Sequence, residues 1–300
     1  MAVKIPYRRQ IDFKYGDVAR LSPRIRRVIA NNPSPFTFHG TGTYIIGNGD
    51  VAIVDPGPVD GAHIDAVLAA VKGERITHVL VTHTHMDHSP GCRLLAEHCD
   101  APKYAYGPHG AGKIEVGVKV EEGGDMEFTP DVVLRDGAIV EGGDWSVEAV
   151  FTPGHTSNHL CYQLREEKAL FTGDHVMGWS TSIISPPDGD MQDYMASLQR
   201  LLERDDRVYW PTHGPSVIEP KAHVKAFIAH RREREQQILA CVDKGLLKIR
   251  DMVPPMYADL PEFMYPAAAR SVFAAVVYLV ARGELVADGP LAIDTPYRRA

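Results

Sequence analysis

The sequence predicts a layered α/β (α+β) fold, on three observations. Short β-branched runs recur through the first two-thirds of the chain, stretches with helical apolar spacing lie between them, and after about Pro220 the chain turns strongly helical. With 300 residues it can form one large domain, or a main domain with an appendage, around a substantial core. The change of character places a main domain over residues 1–220 and a mainly helical one over residues 221–300.

The elements follow in order. Residues 43–46 and 51–54 read as strands joined by the turn G-N-G-D, which suits a hairpin. Residues 60–71 carry apolar positions at helical spacing, with Gly73 as the stop, and residues 76–81 form a β-branched run. Residues 146–151, 160–164, 170–171 and 208–210 are further short strands, each bounded by Gly, Pro or Asn. Residues 221–242 are helical, and their charge run H-R-R-E-R-E-Q-Q reads as a solvated face. Helices over 245–252 and 266–282 precede G-E-L-V-A-D-G-P-L-A-I, read as a small hairpin; together they have the outline of a winged-helix module.

Composition excludes several classes. A formal net charge of −7 and a pI near 6.0 give no support to nonspecific nucleic-acid binding. The opening residues lack the apolar core of a secretory signal, and the longest apolar run, 272–281, is too short to span a bilayer. Cys92, Cys99, Cys161 and Cys241 show no C-x-x-C spacing, which argues against a disulfide framework and a thiolate zinc site, and a reducing cytoplasm is the expected location.

The chemistry concentrates in T-H-T-H-M-D-H, residues 82–88. In an extended segment, alternation puts His83 and His85 on one side, where two neutral imidazoles hold a divalent transition metal. Asp87 and His88 follow as the chain turns through S-P-G, so they address a neighbouring position, and the four side chains suit two adjacent metals better than one. Three later segments share a design, an apolar run ending in a Gly-containing turn with a ligand-type residue: T-P-G-H presents His155, T-G-D presents Asp174 and T-H-G-P presents His213. Each alone reads as an ordinary loop histidine or turn aspartate; the combination satisfies the coordination of two metals.

In this order, over residues from about 35 to 215, these motifs resemble the metallo-β-lactamase fold superfamily. The resemblance implies a four-layer αβ/βα sandwich with a metal site along one edge. It assigns His83, His85 and His155 to a first metal and Asp87, His88 and His213 to a second, with Asp174 bridging and Asp55 supporting from behind. F-T-F-H-G-T-G-T-Y, T-P-G-H-T-S-N-H, M-Q-D-Y-M-A-S-L and H-R-R-E-R-E-Q-Q-I-L are similar to the lactamase-β-like endoribonuclease subgroup, which carries a C-terminal winged-helix-like region. S-I-I-S-P-P-D-G-D departs from that subgroup and, following Asp174, is expected to line the substrate site.

Two metals sharing a water imply a hydroxide nucleophile at neutral pH, and no serine or cysteine nucleophile motif competes with it. The leading expectation is a dinuclear zinc hydrolase, with iron or manganese as alternative metals, acting on an ester, thioester, lactone or phosphodiester. Asp87 and Asp174 are its catalytic residues, Asp87 handling a proton. The alternatives are a mononuclear iron oxidoreductase of the persulfide dioxygenase kind, an endoribonuclease cutting single-stranded RNA, and a binding protein using the winged-helix region. Cys92 is read as a buried helix residue, Tyr194 as core or substrate contact, His159 and His175 as supporting donors or solvent-facing groups. Arg231, Arg232 and Arg234 are read as solvated rather than phosphate-binding.

Overall fold

The computed structural model of the chain describes residues 3–111 and 123–300. Its seven-stranded sheet runs in chain order through β1 (Val18–Arg20), β2 (Ile25–Ile29), β3 (Gly42–Ile46), β4 (Asp50–Val54), β5 (Arg75–Leu80), β6 (Lys103–Ala105) and β7 (Val132–Val133). The first four are antiparallel neighbours, and β4 to β7 are parallel. The second sheet uses β8 (Ile139–Glu141), β9 (Ser146–Phe151), β10 (Leu160–Leu164), β11 (Ala169–Gly173) and β12 (Val208–Pro211), with only β11 and β12 paired in parallel.

Strand alternation sets the layers. Tyr44 and Ile46 of β3 pack with Leu160, Tyr162 and Phe171 of the second sheet, while Ile45 between them faces the other way onto Ile64 and Val67. Those two belong to α1 (Gly61–Ala70), which with α2 (Gly91–Leu95) covers the outer face of the first sheet. On the far side, Val150, Cys161, Leu170 and Tyr209 are covered by α3 (Met191–Glu203) and the first half of α4 (Pro220–Asp243). Helices, sheet, sheet and helices therefore stack as the αβ/βα sandwich expected.

The second half of α4 packs with α5 (Ile249–Met256), α6 (Tyr265–Ala281) and an antiparallel pair, β13 (Leu285–Ala287) and β14 (Tyr297–Arg299), around Ile238, Met252, Val276 and Tyr297. α4 thus contributes to both cores. Segment 262–281 is 20 residues long and apolar enough to cross a membrane by length and composition, longer than the apolar run in the sequence suggested. Its Val272, Val276 and Leu279 are buried in the C-terminal core.

Two readings need correction, and one strand went unread. The C-terminal hairpin is wider than residues 283–293: Val286 lies opposite Arg298, and the buried Tyr297 hydroxyl donates to the Ala292 carbonyl at 2.7 Å, closing the intervening loop. The charge run on α4 is not simply solvated, because Arg231 and Glu235, four residues apart, share the packed face. There the Arg231 guanidinium lies 5.1 Å over the Tyr194 ring and donates to the Ser182 carbonyl, and Glu235 accepts from Arg282 at 2.9 Å. Finally, β2 went unread because its central Arg26 and Arg27 are buried, Arg26 in an ion pair with Glu74 at 2.5 Å and Arg27 donating to the Gly214 carbonyl at 3.3 Å.

Candidate metal centre

The ends of β4, β5, β9, β11 and β12 converge on one edge of the sandwich, and the loops leaving them carry every ligand-type residue singled out from the sequence. Asp55, just past β4 with a φ of +49°, is fully buried and ties three of these loops together. Its Oδ1 accepts the Thr82 N–H at 2.8 Å; its Oδ2 accepts the Thr82 hydroxyl at 2.7 Å, His88 Nδ1 at 2.9 Å and the Thr212 hydroxyl at 3.0 Å.

These bonds decide imidazole tautomers. The Thr82 hydroxyl spends its proton on Asp55, so it accepts from His83 Nδ1, 3.1 Å away, and leaves His83 Nε2 as a lone pair. His88 donates from Nδ1 to Asp55, His155 from Nδ1 to the Ile183 carbonyl at 2.6 Å, and His213 from Nδ1 to the Gly40 carbonyl at 3.2 Å. Four imidazoles thus have Nε2 left over to face the cluster, the arrangement by which outer partners orient metal-binding histidines. His85 presents Nδ1, 3.0 Å from His83 Nε2 and 3.1 Å from His155 Nε2.

Ligand atoms of His83, His85 and His155, of His83, His88 and Asp174, and of Asp87, His88 and His213 form three groups, each within 4.8 Å. All seven expected residues are therefore brought together. Asp174 lies between the halves: Oδ1 is 3.4 Å from His213 Nε2 and 3.7 Å from His88 Nε2, and Oδ2 is 3.7 Å from His155 Nε2. Asp87 Oδ2 is 3.0 Å from His213 Nε2.

The donor set fits divalent cations. His88 Nε2 and Asp174 Oδ1 are buried without a hydrogen-bond partner, and each such orphan costs about 1–3 kcal/mol unless something coordinates it. Burial, reinforced by the neighbouring histidines, holds His83 and His85 well below the usual imidazole value, so both are neutral and free to ligate. Burial also opposes charge on His88, but Asp87, Asp174 and Asp55 outweigh it and raise its pKa well above the usual value. This half of the cluster calls for positive charge, which protons or cations supply.

Around the ligands, His159 stacks on His83 with ring centroids 5.2 Å apart and bonds Thr152 through Nδ1 at 2.9 Å. His175 is held down to about 3 by burial, and neither ring faces solvent. A Cβ on Gly173, at φ +50°, would come within 2.6 Å of His159 Nε2 and 2.8 Å of the Thr82 hydroxyl, so the turn before Asp174 requires glycine. Tyr194 is core, its hydroxyl donating to the His175 carbonyl at 2.9 Å; Cys92 is buried in α2 and its thiol pKa is raised by burial.

Sequence reading missed the network behind His85. Asn158 donates to the Thr84 hydroxyl at 2.8 Å, which also pairs with His109 Nδ1 at 2.9 Å, and T-S-N-H beside His155 was its one local signal. It also missed most of the cavity walls. A cavity of about 460 Å³ opens on the cluster, lined by His85, Asp87, His155, Asp174 and His213 together with Phe36, Met86, Met177, Ile183, Ala267 and Arg270. Ile183 and Ser185 come from the S-I-I-S-P-P segment expected to line it. A larger depression of about 660 Å³, bordered by α1 and β5, contains none of the seven residues.

Comparison with known proteins identifies the superfamily. The family described as Metallo-beta-lactamase superfamily matches residues 37–213, more than half of the chain. The "Beta-lactamase-like protein 2 homolog" of Drosophila melanogaster is 32% identical over 272 residues, covering 85% of this chain and 87% of that protein. The "Atrochrysone carboxyl ACP thioesterase" of Claviceps purpurea is 30% identical over 252 residues, covering 81% of this chain and 75% of that one. The crystal structure of a beta-lactamase domain protein from Burkholderia ambifaria superposes with a TM-score of 0.78 at 22% identity, covering 95% and 94% of the two chains. By its family match, its relatives and its fold, the chain belongs to the metallo-beta-lactamase superfamily.

Proposed function

We propose that this metal-dependent hydrolase cleaves acyl thioesters or esters with two zinc ions, the first held by His83, His85 and His155, the second by Asp87, His88 and His213, and Asp174 between them. The observation that carries the reading is the pair of adjoining donor groups, each with imidazole tautomers already set, opening on a largely apolar cavity. Residues 1–220 then act as the catalytic domain, and residues 221–300 as a winged-helix-like domain whose α6 closes one side of the cavity.

Two zinc ions, when bound, supply a hydroxide at neutral pH and neutralise charge developing on the carbonyl oxygen. The chain's own residues do the rest. Asp55, Gly40 and Ile183 hold His88, His213 and His155 in the ligating tautomer. Asp174 shares its two oxygens between the halves. Burial alone would raise the Asp87 carboxyl, but His88 and His213 pull it below the usual carboxylate value, so Asp87 is ionised. As the tetrahedral adduct collapses, the Asp87 carboxylate accepts the proton of the added hydroxyl group and passes it to the leaving thiolate or alkoxide. Met177 and Ile183 exclude bulk water from that wall.

Support for a thioester comes from the apolar lining, typical of small-molecule pockets, and from the relative named as an acyl-carrier thioesterase. A single-stranded RNA site calls for a basic groove, whereas the described lining residues include one arginine, Arg270. A complete second donor group weighs against a single iron. The test is metal analysis of the purified chain, followed by thioester, ester, phosphodiester and RNA assays with His85→Ala and Asp174→Asn as controls. We expect two zinc per chain and thioester cleavage lost in both variants. One iron per chain with oxygen consumption on a persulfide, or RNA cleavage alone, overturns the reading.

A further inference from the structure

The geometry points to an acyl-chain selector in the cavity: Phe36 and Met86 receive the apolar acyl group of the substrate, and Ala267 of α6 sets how long that group can be. This inference rests on the thioesterase reading and goes beyond it by assigning which part of the substrate is read and by what.

Phe36 is 49% exposed and Met86 47% exposed, yet neither sits on a slack segment. The Ser34 hydroxyl accepts the N–H groups of Phe36 and Thr37, each at 3.1 Å, and the Thr37 hydroxyl donates to the Asn32 carbonyl at 2.6 Å. Asn32 in turn bonds Thr41 through both ends of its amide, at 3.0 and 2.9 Å. Phe38 stacks on Trp179 at 4.7 Å and 18°, and the Gly40 carbonyl receives the His213 imidazole. The turn presenting Phe36 is thereby keyed to one end of the ligand cluster. Met86, between His85 and Asp87, is fixed by its N–H donating to the Gly123 carbonyl at 2.8 Å. Two large apolar side chains are thus held in water at the mouth of a cavity whose inner wall contains Met177 and Ile183.

Such exposure beside a reactive centre favours an apolar occupant, because covering it removes apolar surface from water on both partners. α6 supplies the remaining wall through Ala267 and Arg270, so the helical region takes part in defining the cavity. At Ala267 a larger side chain would project into the volume and shorten it.

The test uses zinc-loaded full-length protein and a series of N-acetylcysteamine thioesters from acetyl to decanoyl. In the wild type, kcat/KM should rise by up to about fourfold per methylene until the chain fills the cavity. In Phe36→Ser the decanoyl-to-acetyl ratio should fall at least about tenfold, mainly through KM, whereas Phe36→Leu should keep it. Ala267→Phe should move the optimum to shorter chains. Phe263→Ser, at a 74% exposed residue outside the cavity lining, should change nothing. An independent readout is calorimetric binding of decanoate to the metal-free protein, expected to weaken in Phe36→Ser. Thioester cleavage with no chain-length dependence overturns the selector while leaving the thioesterase reading intact. Inert thioesters with Phe36-dependent decanoate binding overturn the substrate reading while leaving the apolar site intact.

Discussion

His83 and His85 lie in one half of the ligand cluster and His88 and His213 in the other, and burial disfavours charge on all four. In the first half it wins, and the crowded imidazoles add to it, so both histidines are held below the usual value. In the second half it loses to carboxylates: Asp87, Asp174 and Asp55 raise His88, and Asp174 and Asp87 raise His213. Direct contact with a carboxylate, more than depth, sets the charge state: Asp87 and Asp174 also pull His85 upward, but His213 Nε2 lies 3.0 Å from Asp87 Oδ2 and His88 Nδ1 2.9 Å from Asp55 Oδ2. His83 and His85 are preset as neutral nitrogen donors, while His88 holds a proton that a cation must displace.

Removing one donor from the neutral half should have the largest effect. His85→Ala takes away Nδ1, which faces both His83 and His155. We expect kcat/KM to fall at least about a thousandfold, roughly 4 kcal/mol of transition-state stabilisation. Metal analysis should show one ion lost and one kept; loss of both would mean that the halves are one unit and the comparison is wrong.

Asp55→Asn probes the other half from behind. The amide fits the same left-handed backbone but offers an N–H₂ where the carboxylate oxygens now accept four hydrogen bonds, including the one that orients His88. Affinity for the second ion, whose His88 bonds Asp55 directly, should weaken about 10–100-fold, and the first by less, because Asp55 reaches His83 only through the Thr82 hydroxyl, as zinc titration would read. An equal loss at both positions would sink the distinction.

The two halves should also differ in how metal binding depends on pH. His88, raised well above the usual imidazole value by Asp87, Asp174 and Asp55, is protonated near neutrality and must release that proton on ligating, so affinity at the second half should climb by up to about tenfold per pH unit. His83 and His85, with depressed pKa values, are already neutral, so their ligation should add little pH dependence at the first half. Titrating cobalt into His85→Ala and His213→Ala between pH 6 and 8 isolates each half in turn. Equal slopes would contradict the assignment.

How far this was legible from sequence varies by region. The ligands could be read because each lies just past a short strand, with His155, Asp174 and His213 beside a Gly or Pro turn, so residue type and position coincide locally. Asp55 was legible for the same reason, at the end of β4 before P-G. The cavity wall was not: Phe36, Met177 and Ala267 are far apart in the chain and meet only through packing. The charge run on α4 misled because charges alternating along a chain do not alternate around a helix; Arg231 and Glu235 lie one turn apart on the packed face. β2 was hidden because two buried arginines break the apolar pattern.

The smallest expected effect comes from a cap outside the cluster. Asp60 closes the start of α1, its Oδ1 accepting the N–H of Ala62 at 3.0 Å and of His63 at 3.3 Å. Asp60→Ala should cost about 1 kcal/mol of folding stability, measurable as a shift of the urea midpoint with unchanged slope. Because α1 covers the outer face of the first sheet and supplies none of the seven residues, zinc affinity at both halves should be unchanged. If this modest loss of stability weakened one half, that half's donor geometry would depend on global packing, and the contrast between the two would no longer be electrostatic in origin.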